Sequence, residues 1–241
     1  MPSPPEQIEI VGKDDVRYVA WRDRSILYQM ALDRGRLRDP IAADYMEVLR
    51  DFEYWTLRLL AQSCGVVPEQ VLLSPSTGSS RWGPYKCEEI DFVLYTDGDP
   101  ALLGEVKISI SPRRALTAGN GQIHRRLTKA RRRWPHLRGA VICYFLDWLR
   151  PPLPEPPELL TESDLESRLA SPSTNDPEPQ WFLVAGESLL QRLQVSSLLP
   201  AGFRERLDST HQAFRNPSAT LKSNAGGPTS GLLSLENMFP D

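Results

Sequence analysis

Two charged side chains stand inside one of the most apolar stretches of the chain. The segment ALLGEVKIS, residues 101–109, has the composition of a buried β-strand, yet it contains Glu105 and Lys107. Successive side chains of a strand alternate between its two faces, so these two charges are predicted on one face and Val106 and Ile108 on the other. An acid and a base held side by side on an apolar strand indicate a place where chemistry could occur.

A second apolar strand with charged residues comes shortly before this one, at residues 89–95. Alternation predicts that its apolar residues share one face and that Glu89 and Asp91 share the other. The apolar residues in question are Ile90, Phe92 and Leu94. Both strands are therefore predicted to bring charges to one side of a sheet.

The sequence TDGDP, residues 96–100, separates the two strands and is a turn signal typical of a β-hairpin. If the chain turns about Gly98, Asp91 lies opposite Glu105 and Glu89 lies opposite Lys107. The Cβ atoms of opposite residues are ~4.5–5.5 Å apart. This register predicts two carboxylates and a lysine in one small cluster.

Two carboxylates at that distance repel each other, and a divalent cation is the usual compensation. Oxygen ligands favour Mg²⁺ or Mn²⁺ over zinc. Such an ion polarises a phosphodiester and lowers the pKa of a bound water, and a neighbouring lysine can orient that water. The same spacing also suits an ordinary cross-strand ion pair on a solvent-facing sheet, for example between Glu89 and Lys107, and spacing alone leaves both interpretations open.

The elements that must position the cluster follow in the order helix, three strands, helix and strand. We predict a helix from about Ala42 to Cys64, strands at Val71–Ser74, Glu89–Tyr95 and Leu102–Ile110, a helix from roughly Gly121 to Trp134, and a buried strand in GAVICYFLDW, residues 139–148. One further strand and helix are predicted in QWFLVAGESLLQRL, residues 180–193. The order predicts an α/β fold.

E-I-D at residues 89–91, followed by E-V-K at 105–107, resembles the signature of the PD-(D/E)XK nuclease superfamily. The order of elements over about residues 42–147 is similar to the core of that family. Ile90 stands where the family pattern has proline. The resemblance implies a restriction endonuclease-like αβββαβ core, with a mixed central sheet flanked by helices.

The resemblance also implies an activity and roles for individual residues. It implies a Mg²⁺-dependent (or Mn²⁺-dependent) endonuclease in which Asp91, Glu105 and the backbone carbonyl of Val106 bind the metal. Lys107 would assist the attacking water. DNA is the expected substrate, and RNA is left open.

The long predicted helix carries an apolar stripe that includes one acid, Glu53. A carboxylate on a buried face needs a partner. Many members of the family supply an acid from this helix to the metal, and the resemblance gives that role to Glu53; the alternative is a salt bridge to an arginine. Glu47 is predicted on the wetter side of the same helix. The stripe consists of Met46, Leu49, Phe52, Leu57 and Leu60.

Nine lysines and arginines and no acid occur from Arg113 to Arg138. The predicted helix in this segment docks an apolar stripe on the sheet, and Arg126, Lys129 and Arg133 form a cationic ridge beside it. Together with Arg125, this positive charge suits a nucleic-acid backbone, and a solvated helix face is the alternative. The stripe consists of Ile123, Leu127, Ala130 and Trp134.

Gln122 opens this predicted helix. The resemblance implies that it contacts the metal site or the scissile strand, because several branches of the family place a glutamine there. An ordinary residue of the first helical turn is the alternative.

Composition limits the class of protein. The chain has 241 residues, of which 40% are hydrophobic and 24% charged, as in an ordinary globular protein. No apolar run approaches the ~20 residues of a membrane span, and residues 1–10 lack the apolar run of a secretory signal, so we expect no membrane association and a cytoplasmic location. The three cysteines form no CxxC pair, which argues against a zinc site or a disulfide framework.

The chain is predicted to be one domain with two flexible ends. We expect a disordered N-terminus at residues 1–13, a nuclease-like domain at 14–207 with a proline-rich insertion at about 150–179, and a flexible tail at 208–241. The tail ends in GLLSLENMFPD, whose apolar residues could dock on a partner protein or belong to a plain terminus.

The function predicted from the sequence is phosphodiester hydrolysis, most simply in DNA. The alternative is a nucleic-acid-binding or assembly subunit of the same fold, active only within a larger complex such as a transposition or restriction machine. A homodimer is left open.

Overall fold

The computed structural model describes residues 8–33, 40–76, 85–149, 158–170 and 178–216, and within these residues six strands form one mixed sheet in chain order. The strands are β1 (Glu9–Gly12), β2 (Val67–Pro75), β3 (Tyr85–Thr96), β4 (Asp99–Ser109), β5 (Arg138–Phe145) and β6 (Gln180–Ala185). The strands β1 to β4 pair antiparallel, and β4, β5 and β6 pair parallel.

Helices cover both faces of this sheet. They are α1 (Val16–Asp33), α2 (Pro40–Cys64), α3 (Pro112–Ala130), α4 (Glu162–Ala170), α5 (Gly186–Val195) and α6 (Phe203–Arg215), with a 3-10 turn at Asp147–Leu149. On one face, α2, α4, α5 and α6 share a core with Val106 and Ile142, while Val93 and Val141 pack against α3 on the other. The prediction of an α/β fold with a mixed central sheet flanked by helices is confirmed.

The strand β5 shows why both faces must be covered. All its residues from Gly139 to Phe145 are buried, because helices lie above and below it. A strand covered on both faces is expected to be continuously apolar rather than alternating, and the sequence GAVICYF has that composition. The central strands therefore hold the two helical layers together.

The strands β3 and β4 pair along only part of their length, so the sheet is split between them over the rest. Among the described residues, these strands pair only from Phe92 opposite Gly104 to the turn, where Asp97 and Gly98 both have positive φ, 53° and 87°. Positive φ at both central residues is typical of a two-residue hairpin turn, and it accounts for the Asp-Gly sequence. The strand β3 pairs with β2 as far as Val93, and β4 pairs with β5 from Leu102 onward, so each keeps one neighbour where the hairpin pairing is absent.

Side-chain alternation in β3 is interrupted at Asp91, where the sheet divides. Phe92 packs in the core on the α2 side, whereas Ile90 and Val93 pack in the core against α3. The prediction that Ile90 and Phe92 share a face is therefore wrong, because the strand changes its facing between them. The facing part of β2 is irregular as well: Glu69 has a positive φ of 55°, and the pairing of β2 with β3 skips Asp91.

The described residues place several boundaries differently from the predictions. Residues 9–12, expected to be disordered, form β1, and residues 208–215, expected in the tail, belong to α6. Helix α3 begins at Pro112 rather than Gly121 and ends at Ala130 rather than Trp134. Proline is well suited to the first turn of a helix, because its missing N–H would have no partner there.

The predicted insertion at about 150–179 is partly a structural element. Helix α4 lies within it and buries Leu165 and Leu169 in the core on the α2 side. The remainder of the insertion, at 150–157 and 171–177, lies outside the described residues, as does the predicted tail from residue 217 onward.

The apolar stripe predicted for α2 is confirmed at Phe52, Leu57 and Leu60, which are buried, and at Leu49, which packs against the same core, but it is wrong at Met46. Met46 is exposed, and Tyr45 and Val48 take the buried positions before Phe52.

No helix in the described part of the chain is long and apolar enough to span a membrane.

Candidate active site

Asp91 lies at the point where β3 and β4 separate. Its carboxylate oxygen Oδ2 accepts a hydrogen bond from the backbone N–H of Val106, with a nitrogen-to-oxygen distance of 2.7 Å. The side chain thus satisfies an amide that the hairpin ladder no longer pairs. Burial raises the pKa of Asp91, while Lys107, the Val106 amide and Arg126 oppose that rise. The bond fixes Asp91 beside the residue that lies between Glu105 and Lys107.

Glu105 is buried and compensated by two cations. Its side chain is 2% exposed, and its Oε1 lies 2.5 Å from Nζ of Lys107. Its Oε2 accepts a hydrogen bond from Nη1 of Arg126, which comes from α3. The prediction that Glu105 and Lys107 share a face is confirmed by their contact. The predicted pairing of Glu89 with Lys107 is wrong, because Glu89 instead contacts Tyr18 and Lys13.

Glu53 reaches the same region from α2. Burial raises the pKa of Glu53 to about 7, and the negative charge of Asp91 contributes to this rise, while Lys107 and Lys13 partly offset it. In the part of the chain that the structure describes, no hydrogen bond or ion pair ties the Glu53 carboxylate, so the salt bridge to an arginine is not formed there. Glu47 is exposed, 3.8 Å from Arg206, as the pattern predicted for the wetter side.

The three acids match the ligand chemistry of a hard divalent cation. Glu53, Asp91 and Glu105 offer carboxylate oxygens, the donor type that Mg²⁺ and Mn²⁺ prefer. Burial raises the pKa values of both Glu53 and Asp91, and the negative charge of Asp91 adds to the rise at Glu53, so a cation bound between the two would favour their ionised forms. Within the described residues, no three such side chains are already gathered as a metal-binding group. The residue types fit the ion, and the role of the Val106 carbonyl as a ligand stays a prediction.

Comparisons with known proteins do not extend this description. No family model, no curated protein and no solved structure matches the chain. The case for any function therefore rests on the residues of the chain themselves.

The predicted cationic ridge of α3 is largely neutralised by acids of the sheet. Arg126 contacts Glu105, and Lys129 contacts Glu88 on β3. The expectation that this charge lacks acidic partners is wrong for these two residues, because their partners come from strands distant in sequence. Both cations point toward the sheet, so they hold α3 over the candidate site rather than face solvent alone.

The other predicted residues of this segment differ in exposure. Arg125 is exposed. Arg133 donates to the carbonyl of Ile8 at 2.6 Å and places its guanidinium over the Trp134 ring, 4.9 Å from the centroid. Gln122 lies one helical turn before Arg126, and its Oε1 is buried without a hydrogen-bond partner among the described residues.

The close approach of α3 to the sheet depends on Gly119. A Cβ atom at this position would lie 2.6 Å from Cγ1 of Val141 and 3.6 Å from Cγ of Lys107. A contact of 2.6 Å is shorter than side chains tolerate, so a glycine is needed for the helix to lie this near. The approach brings Arg126 within reach of Glu105 about two turns further along the helix.

Lys13 belongs to the candidate site and was missed by the sequence interpretation. It lies in the turn after β1, 3.2 Å from Glu69 and 3.6 Å from Glu89, and its charge acts on both Glu53 and Asp91. Alternation of Ile8, Glu9 and Ile10 is the sequence signal that could have predicted a strand here. The turn after such a strand would then have been considered for the site.

Proposed function

We propose that the protein is a metal-dependent nuclease of the PD-(D/E)XK type that hydrolyses phosphodiester bonds in DNA. One observation carries the proposal: Asp91 accepts a hydrogen bond from the amide between Glu105 and Lys107, at the point where the two strands part. The acid of one strand and the acid and lysine of the next thus meet in one place, with Glu53 added from α2.

Mg²⁺ or Mn²⁺, held by Asp91, Glu105 and Glu53, would polarise the scissile phosphate and lower the pKa of a bound water. Lys107 is 26% exposed, so its ammonium group can reach a phosphate oxygen or a water while Glu105 holds it in place. Without the ion the pKa of Glu53 is raised to about 7, and a bound cation would favour the ionised carboxylate that serves as its ligand. The buried position of Glu105 keeps its carboxylate fixed during the reaction.

Binding of the nucleic-acid backbone is assigned to arginines that point away from the sheet. Arg113, Arg114, Arg125 and Arg132 are exposed, in a segment without a single acid from residue 113 to 138. Unopposed positive charge of this kind attracts phosphates through counterion release. Arg126 and Lys129 are better placed to stabilise the site than to make the first contact with DNA.

The alternative function, a binding or assembly subunit of the same fold, is favoured by one observation. Arg126 and Lys107 already neutralise both oxygens of Glu105, so the buried charge of the site is satisfied without a metal. A protein that only binds nucleic acid could keep such an arrangement. In that case catalysis would require a larger complex that rearranges the site.

A cleavage assay separates the two functions. Purified protein is incubated with duplex, single-stranded and branched DNA and with RNA, in Mg²⁺, Mn²⁺ or EDTA. We expect cleavage of DNA that requires the metal and that disappears in Asp91→Ala, Glu105→Ala and Lys107→Ala, while DNA binding in gel shifts persists. Binding without cleavage of any substrate would favour the subunit, and equal cleavage by all three variants would refute the assigned site.

A further inference from the structure

Both oxygens of the Glu105 carboxylate are taken by cations of the protein. Oε1 is bound by Lys107 from the same strand and Oε2 by Arg126 from α3. The Glu105 side chain is 2% exposed and the Arg126 side chain 12% exposed, so little water is available to replace either partner. A divalent cation that binds Glu105 would lie beside both protein cations, and repulsion between these like charges would favour the release of one of the two contacts.

Arg126 is the cation whose contact with Glu105 can be released. Lys107 lies two residues from Glu105 on the same strand face, so the strand keeps its side chain near Glu105 whether or not the contact is made. Arg126 comes from another element on a long side chain with several rotatable bonds. A guanidinium keeps its charge at any accessible pH, so a buried arginine that moves must find another acid.

A second acid lies near Arg126. Glu88 on β3 attracts Arg126 electrostatically, as Asp91 does. Lys129 binds Oε1 of Glu88, whereas Oε2 of Glu88 is buried and has no hydrogen-bond partner among the described residues. Arg126 and Lys129 are three residues apart and lie on the same side of the helix. Glu88 therefore offers an unused, buried acceptor on the side of α3 that carries Arg126.

We propose that Arg126 is a placeholder for the divalent cation, bound to Glu105 until the cation arrives and then transferred to the free oxygen of Glu88. The proposal rests on the proposed function and adds a regulatory step to the same site. It assigns Arg126 a positioning role in place of the predicted contact with nucleic acid. The exchange lowers the intrinsic affinity of the site for metal, because the cation must first displace a buried ion pair.

Calorimetric titration of the purified protein with Mn²⁺ tests this exchange without any nucleic acid. Removal of the competing cation in Arg126→Met should tighten Mn²⁺ binding by about tenfold, the equivalent of one charge-assisted hydrogen bond. Glu88→Gln removes the charge that receives Arg126, and it should weaken Mn²⁺ binding severalfold. Arg125→Met, the exposed neighbour, serves as the matched control and should leave the affinity for Mn²⁺ unchanged.

Two further measurements cover the case in which Arg126→Met folds poorly. Arg126→Lys keeps a positive charge with a shorter reach, and it should bind Mn²⁺ with intermediate affinity. The melting temperature of each variant is recorded with EDTA and with Mn²⁺. In EDTA, we expect Arg126→Met to have a lower melting temperature than the wild type. Mn²⁺ should raise the melting temperature of this variant more than that of the wild type, because the ion then replaces the missing cation.

The outcomes for the exchange and for the proposed function are distinct. If the wild type binds Mn²⁺ and neither Arg126 variant binds it more tightly, the exchange is refuted and the nuclease proposal is unaffected. If the affinities follow the expected order and no substrate is cut, the nuclease proposal fails and the exchange stands. If neither the wild type nor any variant binds Mn²⁺, both are refuted.

Discussion

Replacement of Glu53 by glutamine should stabilise the protein at alkaline pH while it impairs the candidate site. Glu53 is held near Asp91 in a partly buried position, which raises its pKa from 4.5 to about 7. The folded protein therefore binds a proton at Glu53 more tightly than the unfolded chain does. This contribution to stability is present below pH 4.5 and is lost as the pH rises toward 7. Glutamine carries no charge at any pH, so the Glu53→Gln variant does not lose stability in this way as the pH rises.

The size of the effect follows from the pKa. A pKa of about 7 in place of 4.5 corresponds to about 3.5 kcal/mol, at ~1.4 kcal/mol for each pH unit. Partial solvation of the side chain reduces this value, and about 2 kcal/mol is expected in the measurement. Glu53→Gln should therefore unfold with a free energy about 2 kcal/mol higher than the wild type at pH 8 and nearly equal to it at pH 4.5.

Urea denaturation in EDTA at several pH values between 4.5 and 8 measures this difference directly. When the free energy of unfolding of the wild type is subtracted from that of the variant at each pH, the contributions of the other titrating groups cancel. Glu47→Gln is the matched control, because Glu47 lies on the same helix but is 66% exposed, and its curve should follow the wild type at every pH. In cleavage assays, Glu53→Gln should be strongly impaired and Glu47→Gln should not.

A lower stability of Glu53→Gln at pH 8 would refute this reasoning. It would mean that the ionised carboxylate makes a favourable contact in the folded protein, as a structural ion pair does. Impaired stability with normal cleavage would remove Glu53 from the candidate site altogether. The site would then consist of Asp91, Glu105 and Lys107.

Three further predictions concern the exposed arginines, Gly119 and Glu162. A fourfold glutamine variant of the exposed arginines should bind DNA with a weaker salt dependence; the residues are Arg113, Arg114, Arg125 and Arg132. The slope of log K against log salt concentration should fall by about one for each phosphate that the protein no longer neutralises. Glutamine at both Arg126 and Lys129 should change this slope less. Gly119→Ala should lower stability by about 1–3 kcal/mol in thermal unfolding, because its Cβ meets Val141, while Gly121→Ala, with open space around it, should not destabilise. Glu162 is 2% exposed and its pKa is raised to about 7 by burial, so Glu162→Gln should increase the free energy of unfolding at pH 8 and not at pH 4.5.

Local sequence signals predicted the parts of the site that a single strand or turn determines. Alternation placed Glu105 and Lys107 on one face, and Asp-Gly placed the hairpin turn. The predicted register also agrees with the pairs of Phe92 with Gly104 and Leu94 with Leu102. These features depend on neighbours within a few residues, and such neighbours are visible in the sequence.

Features that depend on distant neighbours could not be predicted in the same way. Arg126 pairs with an acid 21 residues away and Lys129 with one 41 residues away, so a charge count along the helix gave no indication of either contact. The change of facing at Asp91 has the same origin. It coincides with an irregularity of β2, where Glu69 has a positive φ of 55° and the pairing with β3 skips Asp91, so it depends on a neighbouring strand rather than on β3 alone.

Within the described residues, the partial pairing of β3 with β4 leaves two strand edges inside the sheet, in addition to the outer edges at β1 and at β6, which Leu160 partly covers. A strand edge with free amide and carbonyl groups is a template for the addition of a strand from another molecule, and charged side chains are a common protection against it. Glu88 and Glu89 stand along one inner edge, Glu105 and Lys107 stand along the other, and Asp91 already occupies the Val106 amide. Charges at these positions would oppose the pairing of a further strand along the two inner edges. A variant with several of these charges removed is expected to lose solubility together with activity, and its concentration in storage should be kept low.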